Sequence, residues 1–287
     1  MLRLNDAFYS LKNELQSIYD ANEAAAIAHE LLYHLTGLSK FERLLHKEQL
    51  LTELQYDQFL NAKDRLLTGE PLQYVTGTQW FMGREFKVNE HVLIPRPETE
   101  ELVQWIANDW KEKTVISILD IGTGSGCIPV SLKLQLPQAT ILSGDISAAS
   151  LEVAEQNALK YDAVIELAEI DFLDERTWSY LGAFDVIVSN PPYIPEAEKQ
   201  HMHMNVIDYE PGLALFVPDD DPLLFYKKIA RFAQAHLKTG GAVYCEVHKA
   251  HARETRQLFE CYFREVILQN DIHENERMVK AQTLIKP

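Results

Sequence analysis

The run Asn190-Pro191-Pro192-Tyr193 carries the most specific chemistry in this chain. An asparagine side-chain oxygen and the carbonyl of the next residue can both accept hydrogen bonds from a planar NH2 group. Such a nitrogen is a poor nucleophile because its lone pair is delocalised. Two acceptors fix it and turn it toward an electrophilic carbon. The prolines stiffen the loop, so little entropy is lost when the group is held. The ring of Tyr193 can stack on the planar group. Asn190, Pro191 and Tyr193 are therefore the expected catalytic residues. Asn190, Pro191, Pro192 and Tyr193 together form the expected substrate-binding set. Taken alone, the same run also describes a Pro-Pro turn capped by asparagine, so its context decides.

A second run supplies that context. Leu119-Asp120-Ile121-Gly122-Thr123-Gly124-Ser125-Gly126 follows an apolar, β-branched stretch and opens a helical one. Glycines let the backbone turn sharply and approach a ligand, and N–H groups at a helix start can meet its polar atoms. Gly122, Thr123, Gly124, Ser125 and Gly126 are the expected cofactor loop. Asp145 stands 25 positions after Asp120 at the end of the next strand, where a carboxylate can accept from two ribose hydroxyls. This spacing suits a nicotinamide dinucleotide or S-adenosylmethionine. Two details favour the latter. The third glycine comes one position early for the dinucleotide pattern. Asp120 adds a carboxylate that suits an ammonium and a sulfonium and would repel a pyrophosphate. Asp171-Phe172, at the end of a third strand, offers a carboxylate and a ring for adenine, or simply a loop with one core aromatic.

The elements that must position these runs are legible as alternation. Strands are expected over 115–119, 140–142, 164–167, 184–188 and 242–247, with two more near Val266 and Thr283. Helices are expected over 127–136, 151–159, 223–237 and 250–263, and Thr99 with the acids after it can open another. Such alternation predicts a mostly parallel α/β sheet with helices on both faces. Its ligands bind at the carboxyl ends of the strands. Before the sheet, Phe8, Leu11, Leu15 and Ile18 recur at helical spacing, and Gly37 is placed to end a second helix. Leu50, Leu51 and Leu54, then Phe59, Leu66 and Leu67, predict at least two further amphipathic stretches, stopped at Thr68-Gly69-Glu70-Pro71. Val75, Trp80, Phe81, Phe86, Val88, Val92 and Ile94 are β-prone and predict a hairpin. The expected organisation is a helical bundle over 1–71 for partner recognition, a β-hairpin linker over 72–95 and a catalytic domain over 96–287.

Composition narrows the substrate. Across 287 residues the chain is 46% hydrophobic and 24% charged, ordinary for a globular protein, and its net charge is −16. Duplex binding draws on clustered Lys and Arg, and no such cluster is present, so direct nucleic-acid binding is not expected. Cys127, Cys245 and Cys261 form no CxxC pair, and no metal is expected. No apolar run reaches membrane-spanning length, so no membrane association and a cytoplasmic location are expected.

The chain resembles the protein-glutamine N5-methyltransferases of the HemK/PrmC group over nearly its whole length. The resemblance is carried by Gly69-Glu70-Pro71 with Tyr74 and Gly77, by Ile94-Pro95-Arg96-Pro97-Glu98-Thr99-Glu100, and by Asp120 to Gly126. Asp145-Ile146-Ser147, Ser189 to Ile194, Tyr209-Glu210-Pro211 and Arg277-Met278-Val279 extend it. It implies a Rossmann-like class I methyltransferase sheet with a small N-terminal helical domain. It also implies S-adenosylmethionine as cofactor and, as protein partner, a peptide chain release factor methylated on the glutamine of its Gly-Gly-Gln loop. By the family pattern Gly122 to Gly126, Asp145, Phe172 and Asn190 bind the donor. Phe172 departs mildly, since tryptophan is frequent there. From the residues alone, an adenine-N6 or other nucleic-acid amino methyltransferase stays open, because adenine N6 is also a planar NH2. A glutamine methyltransferase acting on a ribosomal protein also stays open, although the surroundings of Arg96 favour release factors.

Overall fold

A computed structural model describes residues 2–285. The chain divides into two compact units, one of residues 1–78 with 203–209, the other of 79–202 with 210–287.

The first unit is helical. Its elements are α1 (Leu4–Leu15), α2 (Ala21–Thr36), α3 (Lys40–Leu45), α4 (Glu53–Leu67) and α5 (Leu72–Thr76). Local signals set the ends. The Asp20 carboxylate caps α2 by accepting from the N–H groups of Asn22 and Glu23. Gly37, at φ 70°, closes α2 in the left-handed conformation. Thr52 and Gln55 form a capping box that starts α4. Leu11, Leu15, Leu31, Leu32, Phe59 and Leu66 are buried against one another, and each such side chain contributes roughly 1.5–3 kcal/mol. Two expectations are corrected. Leu50 and Leu51 precede the helix rather than form one, and Val75 lies in α5 rather than in a strand. Val75 packs against the helical core, and that burial overrides its β-propensity.

A hairpin of β1 (Thr78–Phe81) and β2 (Arg84–Lys87) follows, in the second unit from Gln79 onward. Residues 88–96 form no strand, although Val92 and Ile94 are buried. The Ile94 N–H donates to the Glu210 carboxylate instead of a ladder, and Pro95 has no N–H to give. Pro97 takes the first turn of α6 (Pro97–Trp110), and Arg96 is its N-cap. Thr99 therefore lies inside the first turn rather than capping it, and is free for another partner.

The sheet follows. In chain order it contains β3 (Ile116–Ile121), α7 (Cys127–Gln135), β4 (Ala139–Asp145), α8 (Ala148–Lys160), β5 (Glu166–Glu169) and β6 (Phe184–Ser189). Short pieces intervene: β7 (Ile194–Pro195), α9 (Met204–Tyr209, part of the helical unit), α10 (Gly212–Leu215) and β8 (Phe216–Val217). Then come α11 (Leu224–His236), β9 (Leu237–Glu246), α12 (Ala252–Glu260), β10 (Phe263–Asn270) and β11 (Glu276–Leu284). Among the described residues the main sheet has seven strands in the order β10-β11-β9-β6-β3-β4-β5. The five central strands run parallel, and β11 and β10 close one edge antiparallel. This is the mostly parallel sheet that the alternation predicts.

Both faces are covered, which explains the unbroken apolar runs. Val186 and Val188 of β6 and Tyr244 of β9 pack with α6 and α7. Ile187 and Val243, which point the other way, pack with α11 and α12. After β5 the chain crosses back to lay β6 against the opposite side of β3, with Ile121 opposite Ser189. That switch point is where open α/β sheets bind ligands.

The turn after β3 needs its last glycine for two reasons. Gly126 has φ 77°, and a Cβ there would lie 3.0 Å from Ala154 Cβ and 3.1 Å from its Cα, in α8. Gly126→Ala is expected to lower unfolding stability by about 1–3 kcal/mol. Urea denaturation followed by circular dichroism measures this; an unchanged midpoint contradicts the packing account.

Candidate active site

One cleft of about 380 Å³ gathers the loops at the carboxyl ends of β3, β4, β5 and β6. It is lined by Gly122, Thr123, Gly124 and Ser125, by Asp145 and Ile146, by Asp171 and Phe172, and by Asn190, Pro191 and Pro192. Runs up to 70 positions apart in sequence thus meet at one place. Gly126 packs below the turn against α8.

The glycine turn is anchored on the neighbouring strand. Gly122 and Thr123 donate their N–H groups to the Gly144 carbonyl at 2.9 and 3.1 Å. Gly124 N–H donates to Asp145 Oδ2 and Ser147 N–H to Asp145 Oδ1, both at 2.9 Å. The carboxylate is thereby held in one rotamer. Each oxygen keeps a further lone pair with which to accept from a ligand hydroxyl. Phe172 is buried against Trp178 and Phe232, with centroids 5.4 and 5.3 Å away. Its carbonyl accepts from the Trp178 indole N–H at 3.0 Å. The ring therefore belongs to the core and lines the cleft at once.

Asp120 lies fully buried near the end of β3. Its Oδ2 accepts from the Ser143 hydroxyl at 2.5 Å, whereas Oδ1 has no hydrogen-bond partner. Burial pushes its pKa up to about 6, against the pull of the Ser143 and Thr123 hydroxyls. An orphaned carboxylate oxygen beneath a ligand loop is a destabilising feature that favours a nearby positive charge.

Asn190 follows β6 and lines the cleft. Its Nδ2 donates to Thr99 Oγ1 at 3.2 Å, and Thr99 in turn donates to Glu246 Oε2 at 2.6 Å. Tyr193 is placed differently from its neighbours. It does not line the cleft; its hydroxyl donates to Glu246 Oε1 at 3.1 Å and its ring lies 5.6 Å from His248. Burial and the Glu246 carboxylate hold its phenol well above the usual range.

Three residues emerge that the motifs do not single out. Glu246 ends β9 and is 1% exposed; its signal was a lone acid inside the apolar run Ala242 to Val247. Thr99 offered a capping signal, and both it and Glu210 lie in runs that carry the family resemblance. Glu210, also buried, accepts from Arg96 Nη2 at 2.6 Å and from the Ile94 N–H, and so fixes the loop in which Arg96 lines the cleft. Beside Tyr193, Glu198, His248 and His251 bring ligand-type atoms within 4.8 Å of one another. His248 lies 3.5 Å from Glu198, and His251 2.5 Å from Glu254.

The Asp120 environment has a pH signature. Its folded pKa is raised above the unfolded value, so the folded state binds more protons between about pH 4 and 6, and stability falls as pH rises through that window. Asp120→Asn removes the charge, and a gain of about 1–3 kcal/mol is expected at pH 7.5, shrinking toward pH 4. Urea unfolding at the two pH values measures it; an equal effect at both counts against a buried charge.

Residues 6–77 match the PrmC N-terminal domain model, and residues 98–209 match the methyltransferase small domain. The release factor glutamine methyltransferase of Flavobacterium psychrophilum is 41% identical over 93% of this chain and 94% of its own length. That of Bacteroides thetaiotaomicron is 38% identical over 94% and 97%. Among solved structures, the catalytic domain of hMettl16, determined with an RNA hairpin, aligns with a TM-score of 0.55 at 14% identity. It covers 82% of this chain and 85% of that one, and shares the fold. With the glycine turn, the Asn-Pro-Pro-Tyr run and relatives matched over more than nine-tenths of both chains, the chain belongs to the release factor glutamine methyltransferase family.

Proposed function

We propose that this chain transfers a methyl group from S-adenosylmethionine to the side-chain amide nitrogen N5 of the glutamine in the Gly-Gly-Gln motif of a peptide chain release factor. The observation that carries this reading is the shared cleft. The glycine turn and Asp145, suited to a nucleoside, open into the same space as Asn190, suited to an amide NH2.

The residues fit the donor. Asp145 has lone pairs for the ribose hydroxyls, Phe172 offers a ring face, and Asp171 adds a second carboxylate to the wall. With the orphaned Asp120 beneath, this wall suits a ligand carrying an ammonium and a sulfonium. When bound, S-adenosylmethionine supplies a methyl group on a positively charged sulfur. Asn190 Oδ1 and the Pro191 carbonyl accept from the glutamine NH2 and aim its nitrogen at that carbon. The donor would supply the methyl carbon and leave as a neutral thioether, while the two acceptors would hold the nitrogen as its proton passes to solvent or to a carbonyl. Orientation of this kind can contribute up to roughly 7–11 kcal/mol in well-aligned reactions. Asn190→Ala should lower kcat about 100-fold while changing donor affinity far less. Labelled donor, purified release factor and mass spectrometry of the Gly-Gly-Gln peptide test both claims. Modification elsewhere, or an unaffected variant, overturns the reading.

The helical unit is assigned to recognition of the protein substrate, and its exposed apolar stripe supports this. Phe41, Leu44 and Leu45 share one face of α3 at helical spacing and are each more than 60% exposed. No helix of the described residues is long and apolar enough to cross a membrane. On this reading the chain works beside release factors in the cytoplasm. Phe41→Ser with Leu45→Ser should raise KM for intact release factor about tenfold and leave KM for a short Gly-Gly-Gln peptide unchanged. Equal KM values for the variant and the parent chain would place recognition elsewhere.

A further inference from the structure

We infer that Glu246 is a positioning residue that sets, through Thr99, which end of the Asn190 amide faces the incoming nitrogen. This rests on the acceptor role proposed above for Asn190. The number of available protons fixes the orientation. An ionised carboxylate only accepts hydrogen bonds, and a threonine hydroxyl carries one proton. Thr99 is 2% exposed, and its single proton is committed to Glu246 Oε2 at 2.6 Å. What remains on Thr99 Oγ1 for Asn190, 3.2 Å away, is a lone pair. Only the NH2 end of the Asn190 amide can use it; the oxygen end would set lone pair against lone pair. Asn190 Oδ1 is therefore turned away from Thr99 and left to accept.

The same carboxylate holds the other end of the four-residue run. Its second oxygen accepts from the Tyr193 hydroxyl at 3.1 Å. Burial pushes the Glu246 pKa up; the two hydroxyl donors and the charge of Arg277 act the other way, favouring the ionised form that this orientation requires, while Glu98 opposes it.

The consequence is specificity. With Oδ1 forward, Asn190 and the Pro191 carbonyl present two acceptors, which suit an NH2 and repel a carboxylate. With the amide flipped, the site would present a donor and admit a glutamate side chain. Glu246 thus decides between glutamine and its acid isostere without touching either.

The test uses the full chain with Thr99→Val, Thr99→Ser and Glu246→Gln. It measures kcat on a Gly-Gly-Gln peptide, inhibition by the matching Gly-Gly-Glu peptide, and donor affinity by calorimetry. Thr99→Val should lower kcat about 10- to 100-fold and strengthen inhibition by the glutamate peptide relative to glutamine binding. Its donor affinity should stay within about twofold, reporting an intact cleft. Thr99→Ser, which keeps the hydroxyl, should restore most of both properties. Glu246→Gln is near-isosteric and can donate to Thr99, freeing the amide to flip; its kcat and discrimination should shift in the same direction. A variant that binds donor normally yet keeps parental kcat and parental discrimination overturns the inference. If the parent chain leaves the glutamine peptide and intact release factor unmethylated, the function proposed above fails, and this inference with it.

Discussion

The pairing of β3 with β6 is the constraint on which the site depends. Ile121 stands opposite Ser189 at the carboxyl edge, and the Ser189 hydroxyl donates to the Ile121 carbonyl at 2.7 Å. The two strands run parallel, so both loops leave the sheet in the same direction. One loop carries the glycine turn and the other begins at Asn190. A slip of one residue would turn every side chain of β6 to the opposite face and misplace Asn190. Burial prevents that slip, because Val186 and Val188 fill one core and Ile187 the other.

Around this edge the chain places acids where burial penalises them. Asp120 lies one residue before the end of β3, Glu246 ends β9 and Glu210 lies behind Arg96, each almost fully buried. Buried carboxylates destabilise unless hydrogen-bonded or charge-paired. Glu210 is satisfied by Arg96 and a backbone N–H, and Glu246 by two hydroxyls. Each therefore locks a neighbouring loop into one geometry. Asp120 alone keeps an unpaired oxygen, and it is the one beneath the proposed donor. Ser125 Oγ, in the turn above it, is likewise buried without a partner, and unsatisfied polar atoms gathered at one cleft are the pattern expected where function competes with stability.

Much of this was legible along the chain, for reasons that differ by element. The central strands read as continuous apolar runs because both faces are buried. Gly37 and Gly126 were readable because only glycine tolerates their backbone conformation cheaply. Val92, Ile94 and Val75 misled in the opposite sense. Val92 and Ile94 are buried in a loop and Val75 is partly buried in a short helix, where turn and helix carbonyls and, for Ile94, the Glu210 carboxylate satisfy the N–H groups in place of a strand ladder. Thr99 read as a helix cap because its local surroundings fit one, but with Pro97 in the first turn the cap falls at Arg96. The pieces at 194–195, 204–209 and 212–217 were too short to show any period.

The sequence by itself determined the fold class and marked the glycine turn, Asp145 and the run at Asn190 as candidate site residues, because each is a residue type that local backbone geometry or the proposed chemistry demands. Only the tertiary structure decided what orients them. The tie from Glu246 through Thr99 to Asn190 joins residues 147 and 91 positions apart, and Glu210 reaches Arg96 across 114. Such links leave no periodicity or spacing to read, since their partners are chosen by the strand order of the sheet. A lone acid in an apolar strand says that something must satisfy it; only the folded chain says which hydroxyls do.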